Sequence, residues 1–148
     1  MSFRGRLRLS GDEPRNLLFV YSSRQFRMGG FVAQIFALVD DIFFQAKMLE
    51  AAKHLGVEMK SFTAGDALLA ELAKQSPALV VVDLNARQSP TDAIATLRAR
   101  DAQIPIVAFF SHVQTDLAQR ARQAGCSEVM PRSKFTKDLA EIFSRAKA

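Results

Sequence analysis

The sequence predicts an α/β fold: a doubly wound, five-stranded parallel sheet with strand order 2-1-3-4-5. Three observations carry this. Apolar runs of strand length alternate five times with stretches of helical spacing between Ala33 and Ala148. The runs at 35–39 and 79–82 are continuously apolar rather than alternating, as expected of strands covered on both faces. Breakers such as Gly56, Pro77 and Gly125 fall between the units. Strands alternating with helices imply right-handed βαβ crossovers, which place helices on both faces. Five such units favour the 2-1-3-4-5 order, with the site at the carboxyl ends of strands 1 and 3.

The elements follow in order. Residues 35–39 form the first strand, ending at Asp40 and Asp41. Phe44, Met48, Ala51, Ala52 and Leu55 then repeat at helical spacing, and Gly56 closes the helix at the C′ position. Residues 57–62 are a second strand, and residues 66–74 a helix with Leu68, Leu69 and Leu72 inward. Residues 79–82 are a third strand ending at Asp83, followed by a loop carrying Ser89 and Pro90. Residues 92–100 form a helix, 104–110 a fourth strand, and 115–124 a helix stopped by Gly125. Residues 128–130 are a short fifth strand. A last helix carries Phe135, Leu139, Ile142, Phe143 and Ala146 along one face.

Composition bounds the function. The 148 residues suit one domain, and 49% hydrophobic with 24% charged residues is an ordinary globular mixture. No apolar run approaches the ~18 residues of a membrane span, so no membrane association is expected. A single cysteine, Cys126, excludes an internal disulfide framework and fits a reducing, cytoplasmic setting. Together with only two histidines, His54 and His112, it leaves no zinc-type cluster. The net charge of +5 is concentrated in residues 1–30, which carry +4, against +1 for residues 31–148. Residues 1–32 therefore read as a basic N-terminal extension and 33–148 as the folded body, with no second domain expected. Any nucleic-acid contact would have to come through the extension. Phosphate-loop, dinucleotide and nucleophile-elbow motifs are absent.

The strand ends hold the chemistry. Asp40 and Asp41 follow strand 1, Asp83 ends strand 3 with Leu84 and Asn85 behind it, Ser111 and His112 follow strand 4, and Arg132, Ser133 and Lys134 follow strand 5. Three carboxylates on one rim repel one another and call for a cation or raised pKa values; by that repulsion alone, neutralising Asp41 should stabilise the metal-free protein. A hard divalent ion such as Mg²⁺ takes one or two carboxylates and leaves room for a phosphoryl oxygen. An Asp beside it can act as a nucleophile and form an aspartyl phosphate, with a hydroxyl and a cation holding the other oxygens. The plainer reading is that an acid after a strand caps the next helix, and the same holds for Ser111.

On these residues the body resembles the receiver domain of two-component response regulators, a CheY-like, flavodoxin-like topology. The resemblance rests on Val39-Asp40-Asp41, on Val80-Val81-Val82-Asp83-Leu84-Asn85, on Ser111 and on Gly125. It implies Mg²⁺ held by Asp40, Asp41 and Asp83 with the backbone carbonyl of Asn85. It implies Asp83 as phosphoacceptor and Ser111 as a phosphoryl contact. It also implies a histidine kinase or phosphotransfer protein as donor, and an output partner whose binding changes in phosphorelay signal transduction; no metabolic turnover is implied. The family's lysine falls on Arg132, which keeps the charge but not the geometry, with Lys134 close enough to substitute. The aromatic switch position falls on Val129. Two alternatives stand beside this reading. One is a pseudo-receiver, an interaction module that is never phosphorylated. The other is a flavodoxin-like small-molecule binder, weakened by acids where a phosphate loop should lie.

Overall fold

The computed structural model describes residues 34–111 and 115–147. The expectations for residues 1–32 and for His112 lie outside the described residues. Five strands run in sequence: β1 (Gln34–Leu38), β2 (Glu58–Phe62), β3 (Leu79–Asp83), β4 (Ile106–Phe110) and β5 (Glu128–Pro131). They form one parallel sheet in the order β2-β1-β3-β4-β5, the 2-1-3-4-5 arrangement.

The helices between them are α1 (Ile42–Leu55), α2 (Gly65–Leu72), α3 (Pro90–Arg100) and α4 (Thr115–Ala124). After β5 come α5 (Arg132–Lys137), α6 (Leu139–Ser144) and a final 3₁₀ turn, Arg145–Lys147. Successive strand residues point to opposite faces, and this splits the core in two. Ile35, Ala37, Val81, Val107 and Phe109 face α1, α5 and α6, where Phe44, Met48, Phe135, Ile142 and Phe143 close over them. Phe36, Leu38, Val80, Val82 and Ala108 face the other way, onto Leu68, Ile94, Leu97 and Ala121 of α2, α3 and α4. β1, β3 and β4 are buried on both faces, which is why they read as unbroken apolar runs.

Boundaries depart from the sequence reading for local reasons. β4 starts at Ile106 rather than residue 104, because Pro105 has no amide to donate to a ladder. α3 starts at Pro90, whose fixed φ suits the first helical turn, after Ser89 at φ 46°. The last helix is broken at Asp138, where ψ reaches 14°. Gly56 closes α1 in the left-handed region at φ 72°, as its position predicts.

Candidate functional site

Chain direction places the carboxyl ends of β1, β3, β4 and β5 on one edge. Past β1, the Val39 amide still donates to Phe62 O (2.9 Å), which carries Asp40 and Asp41 beyond the sheet. Asp41 is the N-cap of α1. Its Oδ1 accepts from the Phe43 amide (3.0 Å) and the Phe44 amide (3.1 Å), two donors that no helical carbonyl can reach. Its Oδ2 accepts from Arg132 Nη2 at 3.1 Å. The Phe44 amide, with help from Arg132, holds the Asp41 carboxyl below the usual carboxylate range, against partial desolvation. The capping role is thus real for Asp41, and it leaves the second oxygen to a cation.

Asp40 turns away to a different guanidinium. Its Oδ2 accepts from the Arg87 amide (3.0 Å) and from Arg87 Nε (3.3 Å). Arg87 lies in the loop after β3 and is otherwise exposed.

Asp83, the last residue of β3, is only 3% exposed, the one charged residue in the core among the described residues. Its Oδ1 accepts from the Asn85 amide at 2.8 Å, an Asx turn that bends the chain off the strand. Burial, first, pushes the Asp83 carboxyl up; the Asn85 amide and Arg132 oppose this, and the charges of Asp40 and Asp41 add to it. The Asn85 side chain ties the loop to the next strand, its Oδ1 accepting from the Ser111 amide at 2.7 Å just past β4.

Arg132 opens α5 and lies over aromatic rings. Its guanidinium carbon is 4.1 Å from the centroid of Phe44 and 5.7 Å from that of Phe109. Such stacking suits a planar, weakly hydrated cation better than an ammonium. Its Nε is buried with no hydrogen-bond partner among the described residues. Lys134, expected to substitute for the missing lysine, is engaged elsewhere: its Nζ meets Asp138 Oδ2 at 2.7 Å, one turn along the same stretch of chain. The i,i+4 spacing holds it there, and Asp138 raises its pKa.

The structure therefore gathers Asp40, Asp41, Asp83, Asn85, Ser111 and Arg132 at one edge and assigns Lys134 to a surface pair. Among the described residues no three Asp, Glu, His or Cys side chains are grouped to hold a metal by themselves. Sequence reasoning missed Arg87, Phe44 and Phe109. Nothing in the sequence signals Arg87, whose partner lies 47 positions away.

No family model matches the sequence, and no curated protein matches it. Solved structures do. A receiver domain protein (CheY-like) from Methanospirillum hungatei JF-1 matches at TM-score 0.69 and 13% identity, over 75% of this chain and 90% of that one. The chemotaxis protein CheY4 of Vibrio cholerae matches at TM-score 0.69 and 16% identity, over 78% and 98%. Against NtrX of Brucella abortus the TM-score is 0.66 at 17% identity, over 78% of this chain but 27% of that one, so this chain spans about a quarter of that longer protein. Among the described residues no helix is long and apolar enough to cross a membrane. Identities this low speak to architecture alone, and on that evidence the chain has the fold of CheY-like response-regulator receiver domains.

Proposed function

We propose that the chain is a signalling module that accepts a phosphoryl group on Asp83 and changes its binding to a partner protein. The observation that carries this reading is Asp83 itself: a carboxylate sealed into the end of the central strand, with one oxygen held by the Asn85 amide. A side-chain charge so placed is costly to keep unless it has a use. In the step proposed, an Asp83 oxygen attacks phosphorus of a phosphohistidine or a small phosphodonor. The bond from phosphorus to the donor breaks, and its electron pair leaves with the donor. In this reading Arg132 supplies countercharge, and Ser111, whose amide is tied to Asn85, contacts the incoming oxygens.

The donor set fits a two-carboxylate magnesium site rather than a three-carboxylate cage. In this reading Asp41 and Asp83 supply hard oxygens together with the Asn85 backbone carbonyl, Asp41 giving up its Arg132 contact to the metal. Three carboxylates, Asp40, Asp41 and Asp83, stand here against two guanidiniums, those of Arg87 and Arg132. Mg²⁺, when bound, offsets the charge of carboxylate and phosphoryl oxygens together. The donor in this reading is a histidine kinase or phosphotransfer protein. Ile42 (67% exposed) and Phe43 (84% exposed), beside Asp41, supply apolar surface suited to partner contact.

A second reading, the unphosphorylated interaction module, is favoured by one specific observation: both oxygens of Asp41 are already engaged, by the helix cap and by Arg132. Incubation with Mg²⁺ and acetyl phosphate separates the two. The first reading expects a labile adduct that needs the metal; the second expects none.

A further inference from the structure

We infer that Arg132 is a positioning residue that links the pocket to the first turn of α1, so that a ligand drawing its guanidinium off Asp41 loosens that turn. The inference rests on the phosphoacceptor reading for the ligand, whose phosphoryl oxygens attract a guanidinium fork. The link itself rests on geometry.

Arg132 Nη2 and the two amides of Phe43 and Phe44 share one carboxylate, the guanidinium on Oδ2 and the amides on Oδ1. The cation therefore holds the cap in the orientation that satisfies the helix. The same guanidinium lies 4.1 Å over the ring of Phe44, a residue of that first turn. One side chain from the end of β5 thus fixes both the cap and the packing of the start of α1, 91 positions away in sequence. The arrangement is also poised to open. Arg132 Nε is buried without an acceptor among the described residues, so the closed position carries a donor that a move toward a phosphoryl oxygen would satisfy. Arg132 remains charged at every physiological pH, so a competing anion rather than proton loss has to release it. The route runs toward α1, where Ile42 and Phe43 are exposed, and it needs no aromatic residue at Val129.

The amides of Phe43 and Phe44 provide the readout. They belong to the first helical turn, where no intrahelical acceptor exists, and their acceptor is the Asp41 carboxylate, so their protection responds to its position. Hydrogen exchange of these two amides is measured by NMR in the 148-residue wild type and in Arg132→Met, Lys134→Ala and Asp41→Ala. Arg132→Met keeps the apolar stem over Phe44 and removes the fork. It is expected to speed exchange at both amides by about fivefold or more, the usual size of a coupling between linked sites. Lys134→Ala should leave both unchanged, and Asp41→Ala sets the upper limit. Wild type carrying a phosphoryl group, verified by mass, should move toward the Arg132→Met rates. Unchanged exchange in Arg132→Met, or in a verified phosphorylated chain, overturns the link, as does an equal effect from Lys134→Ala. A chain that takes up no phosphoryl mass sinks the phosphoacceptor reading, and the Arg132→Met comparison still decides the link.

Discussion

Arg132 Nη2 lies 3.1 Å from Asp41 Oδ2, and this pair joins the exit of the last strand to the cap of the first helix. It also changes what a charge substitution does. Mutual repulsion among three acids predicts that neutralising Asp41 relieves strain. The lowered pKa of Asp41 says the opposite, because the fold favours its ionised form. Asp41→Asn should therefore lower the melting temperature at pH 7. Asp41→Ala should lower it further, since Asn still caps a helix and Ala does not. Thermal melting of the two variants beside wild type checks both the sign and the order.

Asp83 should respond in the opposite sense. Its pKa is raised, chiefly by burial, so the native state binds the proton more tightly than the unfolded state. Its stabilising contribution is complete below the ordinary carboxylate range, near pH ~4, and is lost as pH rises through the folded value. Asp83→Asn, which keeps an acceptor for the Asn85 amide, should thus raise stability at pH 7, with a gain that shrinks toward pH ~4. For Asp41, whose pKa is lowered, the deficit of Asp41→Asn should hold from pH 7 down to the ordinary carboxylate range near pH ~4 and shrink only below it. Denaturant melts at several pH values give the two opposed slopes; parallel slopes would show that the two environments have been misassigned.

The aromatic cluster beneath Arg132 is the mechanical base of the site. Phe135 is fully buried and stacks on Phe109 with centroids 4.5 Å apart and planes at 19°. Phe44 meets Phe109 edge-on at 5.3 Å. Phe135→Ala should cost about 3–5 kcal/mol, the range for deleting a buried aromatic ring. Equilibrium unfolding measures it, and a loss under about 1 kcal/mol would mean the cluster repacks freely.

Magnesium should raise the melting temperature by mass action, since only the native state assembles Asp41 and Asp83. Arg132→Met should respond more strongly than wild type, because the metal no longer competes with the guanidinium for Asp41 Oδ2. Asp41→Asn should respond weakly, and Lys134→Ala like wild type, its ammonium being held by Asp138. Identical shifts in all four proteins would show that the metal acts elsewhere.

Much of this was legible in the chain. Strand alternation and the doubly wound order follow from apolar periodicity, because β1, β3 and β4 are covered on both faces and tolerate little else. The residues at the strand ends follow from chain direction. Their partners do not. Asp40 finding Arg87, and Arg132 lying on Phe44, are contacts across long sequence separations that no spacing rule encodes. Lys134 shows the converse, a local i,i+4 partner, Asp138, that pairs with it on the surface. The break at Asp138, where the backbone leaves helical geometry, falls in a stretch whose apolar spacing reads as continuous helix.

The central claim is that Asp83 accepts a phosphoryl group, and intact-mass analysis after incubation with Mg²⁺ and acetyl phosphate tests it most directly. Wild type should gain one labile phosphoryl mass. The gain should vanish in Asp83→Asn and without Mg²⁺. It should persist in Lys134→Ala, and survive in weakened or shorter-lived form in Arg132→Ala. A wild type that binds Mg²⁺ yet gains no mass, under conditions that label an ordinary receiver domain, would contradict the claim and leave Asp83 as a buried acid in an interaction module.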